Sequence, residues 1–288
     1  MSVGGGPSLA QQQLAGELAR LRSLAGLDQR QIAAHAGISQ ATVSRIERAL
    51  KLPTLSNVIA WVNACGATAD VVERITTLTE AAHTQVETWR ELASRSPHLQ
   101  DAVRANEATA ARLRAYSPTV VPGLLQTAAY ARRTLALTDA TGQLDVAAGV
   151  EGRLRRQEAL HDPIRHFEFL ITETALRLTL GTPAGHAAQL DRIVSLSTLD
   201  NISVGVLPDG GSPAALPFHG FVIYDDRGEG DPFVTVEMVH GYATITEPRD
   251  VALYREVFGR LRDAAAISAD AVALIQRIAV ELRRDARG

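Results

Sequence analysis

Residues 28–48 read DQRQIAAHAGISQATVSRIER, and their spacing predicts a helix, a tight turn and a second helix. In the first helix Ile32, Ala33 and Ala36 make a small apolar face. Gly37 supplies the positive φ that lets the chain reverse without a Cβ clash, after which Ile38 turns to the core and Ser39 is placed to cap the next helix. At about 100° per residue, Val43, Ile46 and Leu50 fall in one stripe of that second helix. Ala41, Ser44, Arg45 and Arg48 lie on the opposite face, with Gln40 at its leading edge. Such a face suits a DNA major groove, where Gln pairs bidentately with adenine, Arg with guanine, and a small apolar residue such as Ala41 touches a thymine methyl. Ser39 and Thr42 are short enough to bond a phosphate or a base edge.

Working outward, LAQQQLAGELARLRSLAG at 9–26 places Leu14, Leu18, Leu21 and Ala25 on one face, as a buttressing helix requires. Apolar-periodic segments separated at Gly26, Gly37, Pro53 and Gly66 continue from Leu9 to about Glu80 with no alternating strand pattern. The expectation for residues 9–80 is an all-α bundle of about five short helices, preceded by a flexible lead-in at 1–8. The full 288 residues, 46% hydrophobic and 21% charged, suit roughly two globular domains. The single cysteine, Cys65, excludes an intrachain disulfide and a multi-cysteine metal site, and reads as a buried small hydrophobe. No apolar run approaches the roughly 18 residues of a membrane span, and MSVGGGPS lacks the basic and apolar regions of an export signal. The expected location is cytoplasmic, on the nucleoid when DNA is bound.

Charge adds a constraint. The chain carries a formal −3, and residues 1–80 hold 7 basic and 6 acidic side chains, although 16–53 hold 6 and 3. So nearly neutral a domain has little nonspecific pull on phosphate. Selective binding therefore calls for a dimer reading two half-sites.

Residues 17–59 resemble the Cro/phage-repressor (Xre) helix-turn-helix family. The matching residues are Arg22, Gly26, Leu27, Gln29, Ile32, Ala33, Gly37, Ile38, Ser39, Val43, Ser44, Ile46, Glu47 and Pro53. The resemblance implies a recognition helix over about 39–49, with Gln29 and Ser39 on phosphates and Gln40, Ala41, Ser44 and Arg45 facing base edges. It places Arg48 and Lys51 near the DNA backbone and pairs Glu47 with Arg22 to fix the first helix against the recognition helix. One position departs from the family: where it usually has Gly, two residues after that Glu, this chain has Ala49. Either the recognition helix runs on, or the turn carries about 1 kcal/mol of strain, and the Lys51 contact depends on which.

Residues 81–115 carry Val86, Trp89, Leu92, Val103 and Leu113 at helical spacing and are expected to be connecting helices, broken near Ser96 and Pro97. From 116 to 288 the expectation is an α+β domain with a small, mostly antiparallel sheet. Helices are expected near 123–136, entered from Pro122 as Gly123 to Leu135, and at 144–160, 249–265 and 269–284, the last with Ser268 as its cap. Strands are expected at 167–172, 202–207, 218–224 and 233–239. This part resembles the C-terminal domain of actinobacterial WhiJ-type, antitoxin-like regulators, on Tyr116, the VPGLLQT run, Tyr130, Ala131, Arg156, Gln157, TETALR at 172–177, Gln189, Leu190, NISVGVLP at 201–208, Gly220, Phe221, Val236, Glu237 and the helix Tyr254 to Leu261. The resemblance implies a transcriptional regulator, often encoded beside a small partner protein.

Catalytic motifs are missing: residues 210–214 read GGSPA rather than GxSxG, and there is no Walker loop, HExxH or GxGxxG after a strand. The histidines are scattered, with His161 and His166 separated by Pro163, so no metal is expected. The arginines of EGRLRRQE at 151–158 read as a solvated face with a Glu151–Arg155 pair, an anionic ligand or a second stretch of DNA being the alternatives. Asp225, Asp226, Glu229 and Asp231 read as a solvated turn, a bound cation being the alternative.

The expected function is sequence-specific binding of double-stranded operator DNA by a homodimer, without catalysis or cofactor, the C-terminal domain serving dimerisation and sensing of an effector or protein partner. The alternative is an antitoxin-like module that restrains a small partner protein encoded nearby and autoregulates its operon. A third reading is a sensor whose operator affinity shifts with an unknown small molecule.

Overall fold

The computed structural model describes residues 7–89, 91, 99–108, 110–139, 142, 144–210, 215–225 and 231–285. The expected break at Ser96 and Pro97, Leu92, most of the flexible lead-in, most of GGSPA, and Asp226 and Glu229 of the acidic turn lie outside these residues. The chain forms two compact units, Met1–Val86 with Ala243–Asp250, and Glu87–Tyr242 with Val251–Gly288.

The first unit holds α1 (Leu9–Leu24), α2 (Gln29–Ala36), α3 (Gln40–Glu47), α4 (Leu55–Ala64) and α5 (Ala69–His83). Each apolar stripe meets a common core of Leu14, Leu18, Ile32, Val43, Ile46, Val58, Trp61, Val62 and Ile75. Burial of those stripes, rather than helix propensity, stabilises helices this short. Gly26, Gly37 and Gly66 all take the left-handed conformation that ends a helix within one residue. Ala25 is the exposed C-cap of α1 rather than part of its core face, and Cys65, the C-cap of α4, is only partly buried.

The segment 243–250 closes this unit from far along the chain. His83, at the end of α5, is buried; its Nε2 donates to the Pro53 carbonyl at 2.8 Å and lies 3.3 Å from Glu247 Oε2, while Nδ1 is 2.8 Å from the Thr246 hydroxyl. Glu247 Oε2 also accepts from the Leu55 amide at 3.4 Å, at the start of α4.

A seven-stranded mixed, mostly antiparallel sheet runs β1 (Thr84–Thr88), β7 (Gly241–Ile245), β6 (Phe233–Met238), β5 (Phe221–Asp225), β2 (Arg112–Ser117), β3 (His166–Thr172) and β4 (Ile202–Leu207) in spatial order. Strand β2 pairs parallel with β3 and β3 with β4, whereas β5 is antiparallel to both β2 and β6. Central β3 buries Phe167, Phe169, Leu170 and Ile171, the near-continuous apolar run of a strand covered on both faces. Strands occupy 84–88 and 112–117, inside the stretch whose spacing suggested connecting helices, and α6 (Leu99–Ala108) lies between them. In β2 the buried Leu113 and Ala115 alternate with half-buried Arg112 and Arg114, and pairing on both sides outweighs the helical spacing of the same residues.

The VPGLLQT stretch also differs from its sequence reading. Gly123–Leu125 makes one 3₁₀ turn, Gln126 is extended, and α7 (Ala128–Thr138) begins only after Thr127, whose hydroxyl accepts from the Tyr130 amide. A Thr cap outcompetes a helix started at Pro122 because Gln189, further along the chain, takes the Thr127 amide at 2.6 Å and gives its own amide to the Leu125 carbonyl at 2.8 Å. The rest of the unit is α8 (Val146–Arg156), a 3₁₀ segment Gln157–His161, α9 (Glu173–Arg177), α10 (Pro183–Leu196), α11 (Pro248–Ala264) and α12 (Ser268–Asp285). Ser268 does not cap α12. It sits at the first helical position with φ +50°, and the Ile267 carbonyl accepts from Asp270 and Ala271, because a bridge between Val206 and Ala266 fixes where the chain enters the helix.

Candidate nucleic-acid interface

Helix α3 is capped by Ser39, whose Oγ accepts from the Thr42 amide at 3.1 Å and lies 2.9 Å from Thr42 Oγ1. Val43 and Ile46 face inward and are fully covered, while Gln40, Ala41, Arg45 and Arg48 are exposed and Thr42 and Ser44 half-buried. The polar face is thus assembled on one side of one helix. Arg48 bends back to donate Nε–H to the Ser44 carbonyl at 3.1 Å. The Arg45 side chain makes no hydrogen bond or ion pair among the described residues. Lys51 lies beyond the turn and is half-buried.

The helix ends at Glu47. Arg48 is the C-cap and Ala49 takes φ +55°, so of the two outcomes open at Ala49 the chain adopts the strained turn. Two hydrogen bonds hold it, from the Ala49 amide to the Ile46 carbonyl at 2.9 Å and from the Leu50 amide to the Arg45 carbonyl at 2.8 Å. Gln11, buried on α1, adds a third by donating to the Ala49 carbonyl at 3.0 Å. Because the helix stops there, Leu50 leaves the apolar stripe and is 53% exposed, and the methyl of Ala49 is buried instead.

A chain of side-chain bonds then ties the face to the scaffold. Arg22 donates Nε–H to Glu47 Oε1 at 2.5 Å and Nη2–H to Oε2 at 3.2 Å, and its Nη1 holds the Leu27 carbonyl at 2.9 Å. Glu47 Oε2 also accepts from Gln29 Nε2 at 2.7 Å, and Gln29 Oε1 accepts from Gln40 Nε2 at 2.7 Å. The bond to Glu47 holds the Arg22 guanidinium above its ordinary pKa. Gln40 is therefore oriented through Gln29 and Glu47 by an arginine of α1. Each amide nitrogen carries two hydrogens, so Gln40 keeps one N–H and its Oε1 for a base, and Gln29 keeps one N–H for a phosphate. Asn57 of α4 further fixes α2 by donating to the Ala36 carbonyl at 3.1 Å.

Periodicity finds Gln40 and Arg45 but not Gln11, which anchors the turn from a run of three consecutive glutamines, two of them exposed. It also misses His83, Thr246 and Glu247, whose meeting depends on a return of the chain after more than 150 residues.

A short helix that buries one stripe, exposes a row of amide and guanidinium groups and is braced by a second helix across a glycine turn makes the N-terminal unit a helix-turn-helix domain. The family model for a helix-turn-helix domain matches residues 13–75, and supports a DNA-binding regulator. Residues 100–277 match the domain of unknown function DUF5753, which spans more than half of the chain, and the chain belongs to that family. Neither the curated proteins nor the solved structures contain a match. Among the described residues no helix is long and apolar enough to cross a membrane.

Proposed function

We propose that the chain is a sequence-specific transcriptional regulator of the Cro/phage-repressor (Xre) type with a WhiJ-like C-terminal domain, binding operator DNA as a homodimer. Helix α3 enters the major groove, Gln40 and Arg45 read bases, Ala41 and Ser44 pack beside them, and Gln29, Ser39, Thr42, Arg48 and Lys51 meet the sugar-phosphate backbone. The C-terminal unit dimerises and senses an effector or a partner, and no catalytic step is part of the activity. The observation that carries this reading is the Arg22–Glu47–Gln29–Gln40 chain, because it holds a base-reading amide in place before DNA arrives and so lowers the ordering cost of binding.

The test is fluorescence anisotropy of the full chain with the duplex upstream of its own gene and with a scrambled duplex, at two salt concentrations, beside a Gln40→Ala/Arg45→Ala variant. Selective binding by the wild type that the variant loses supports the proposal. Equal, weak and strongly salt-dependent binding to both duplexes means phosphate contact alone, and moves the function to the C-terminal unit and a protein partner, as the antitoxin-like reading has it.

A further inference from the structure

In the second unit the buried Arg156 and the half-buried Arg114 and Arg255 pair with carboxylates. Arg156 grips Glu107 through two bonds, at 2.8 Å from Nε and 2.5 Å from Nη2, and Arg114 and Arg255 share Asp225. Among the described residues Arg165 bonds only the Ala110 and Glu107 carbonyls, and Arg153 and Arg192 bond amide oxygens. Arg153, on α8, donates Nη1–H to Gln126 Oε1 at 2.7 Å, while its Nε is shielded from solvent and has no partner. Arg192, on α10, donates Nη2–H to Gln157 Oε1 at 2.7 Å, and its Nε is likewise shielded and unpartnered. Both residues are half-buried.

These two cations stand on one frame. Gln126 gives its amide to the Val121 carbonyl at 2.7 Å, and Gln157 gives its amide to the carbonyls of Gly123, at 3.2 Å, and Gln126, at 2.7 Å. Each glutamine thus has its nitrogen committed to the 121–127 turn and its oxygen committed to one arginine. An amide oxygen orients a guanidinium but does not neutralise it. Glu107 is already taken by Arg156, whose like charge acts against Arg153, and Glu237 and Glu107 oppose it through charge alone, without a hydrogen bond to Arg153. Burial, then the like charge of Arg156, pull the Arg153 guanidinium down to about 10. Gly123 lies against the same group, where a Cβ would stand 3.4 Å from Arg153 Nε. A cation kept out of water without a hydrogen-bonded counter-charge costs stability, and an oxyanion docking side-on to a guanidinium is the group that removes the cost with two parallel bonds.

We propose that this frame is a binding site for a small oxyanion, a carboxylate or phosphate group, which docks on the Nε edge of Arg153 with Arg192 supplying the second positive charge. It names the ligand class for the sensing role of the C-terminal unit and rests on that reading only for its consequence at DNA. Binding is read from the protein alone, so failure here and failure of operator binding are separate results.

The experiment titrates the full chain with inorganic phosphate and, in a second arm, with acetate, by calorimetry at ionic strength matched with chloride, and follows thermal unfolding in parallel. The expected result is saturable binding of one anion per chain in at least one arm, with a matching rise in the unfolding temperature. Arg153→Met and Arg192→Met should each weaken that binding roughly tenfold or more, while Arg155→Gln, an exposed guanidinium on the same helix, leaves it unchanged. In chloride alone Arg153→Met should unfold no earlier than the wild type, because it removes an unpaired charge. The proposal is overturned by the absence of saturable binding in both arms, by wild-type affinity in both methionine variants, or by an equal loss in Arg155→Gln.

Discussion

Glu47 collects two bonds from Arg22 and one from Gln29, so a single carboxylate joins α1, α2 and α3. Glu47→Gln keeps the volume but leaves the Arg22 guanidinium, itself partly covered, without its counter-charge. The expected cost is about 2 kcal/mol, below that of a fully buried pair, seen as a lower urea midpoint; an unchanged midpoint would show the pair to be solvated. Gln29 has two tasks, since it orients Gln40 and keeps one N–H for a phosphate. Gln29→Ala should therefore weaken binding to every duplex and also flatten the preference at the base pair that Gln40 reads, by roughly 1–3 kcal/mol if the bidentate contact is lost. A selection over random duplexes in which Gln29→Ala scales all affinities equally would leave it a phosphate contact only. Gln40 shows in the spacing of α3, whereas Gln29 and the Arg22–Glu47 pair come from the family resemblance; the Gln29 link between Glu47 and Gln40 shows in neither, since it depends on how α2 lies against α3. The arginines of 151–158 show the same limit: Arg155 pairs with Glu151 at the surface, whereas Arg156 is buried on Glu107.

At the level of the element, the turn after α3 is the place where sequence and backbone disagree. Ala49 occupies φ +55°, a region where a Cβ costs about 1 kcal/mol. Ala49→Gly should raise stability by about that amount in thermal unfolding, less what the buried methyl contributes by packing; a fall in stability would show that packing outweighs strain. The opposite experiment belongs to β7. A Cβ on Gly241 would stand 2.1 Å from the Glu87 carbonyl oxygen, a clash with backbone rather than with a movable side chain. Gly241→Ala should therefore cost about 2 kcal/mol or more and lower the denaturant midpoint, and a neutral effect would mean that β1 and β7 move apart at little cost. Periodicity located α1 to α5 and β4 because each carries its burial pattern within its own residues. It missed β1, β2 and β7, which are short and take their identity from neighbours distant in sequence.

For the whole molecule, the informative feature is that the helix-turn-helix unit is not contiguous. Residues 243–250 belong to it, and Thr246 and Glu247 bond His83 and the start of α4, just past the recognition helix. No local pattern reports such a return, and for that reason the bundle looks complete at about Glu80 when read from sequence. A fragment ending at residue 86 should unfold at a lower urea concentration than the same unit within the full chain, and Glu247→Ala in the full chain should lower operator affinity without touching the DNA-facing row. Equal midpoints for fragment and full chain would show that the returning segment adds nothing. The order of synthesis follows from the same arrangement. A ribosome adding about 5–20 residues per second finishes α5 many seconds before it reaches residue 250. During that interval the nascent unit has its recognition helix but not its last strap, so full DNA-binding competence arrives only when most of the second unit has already been made.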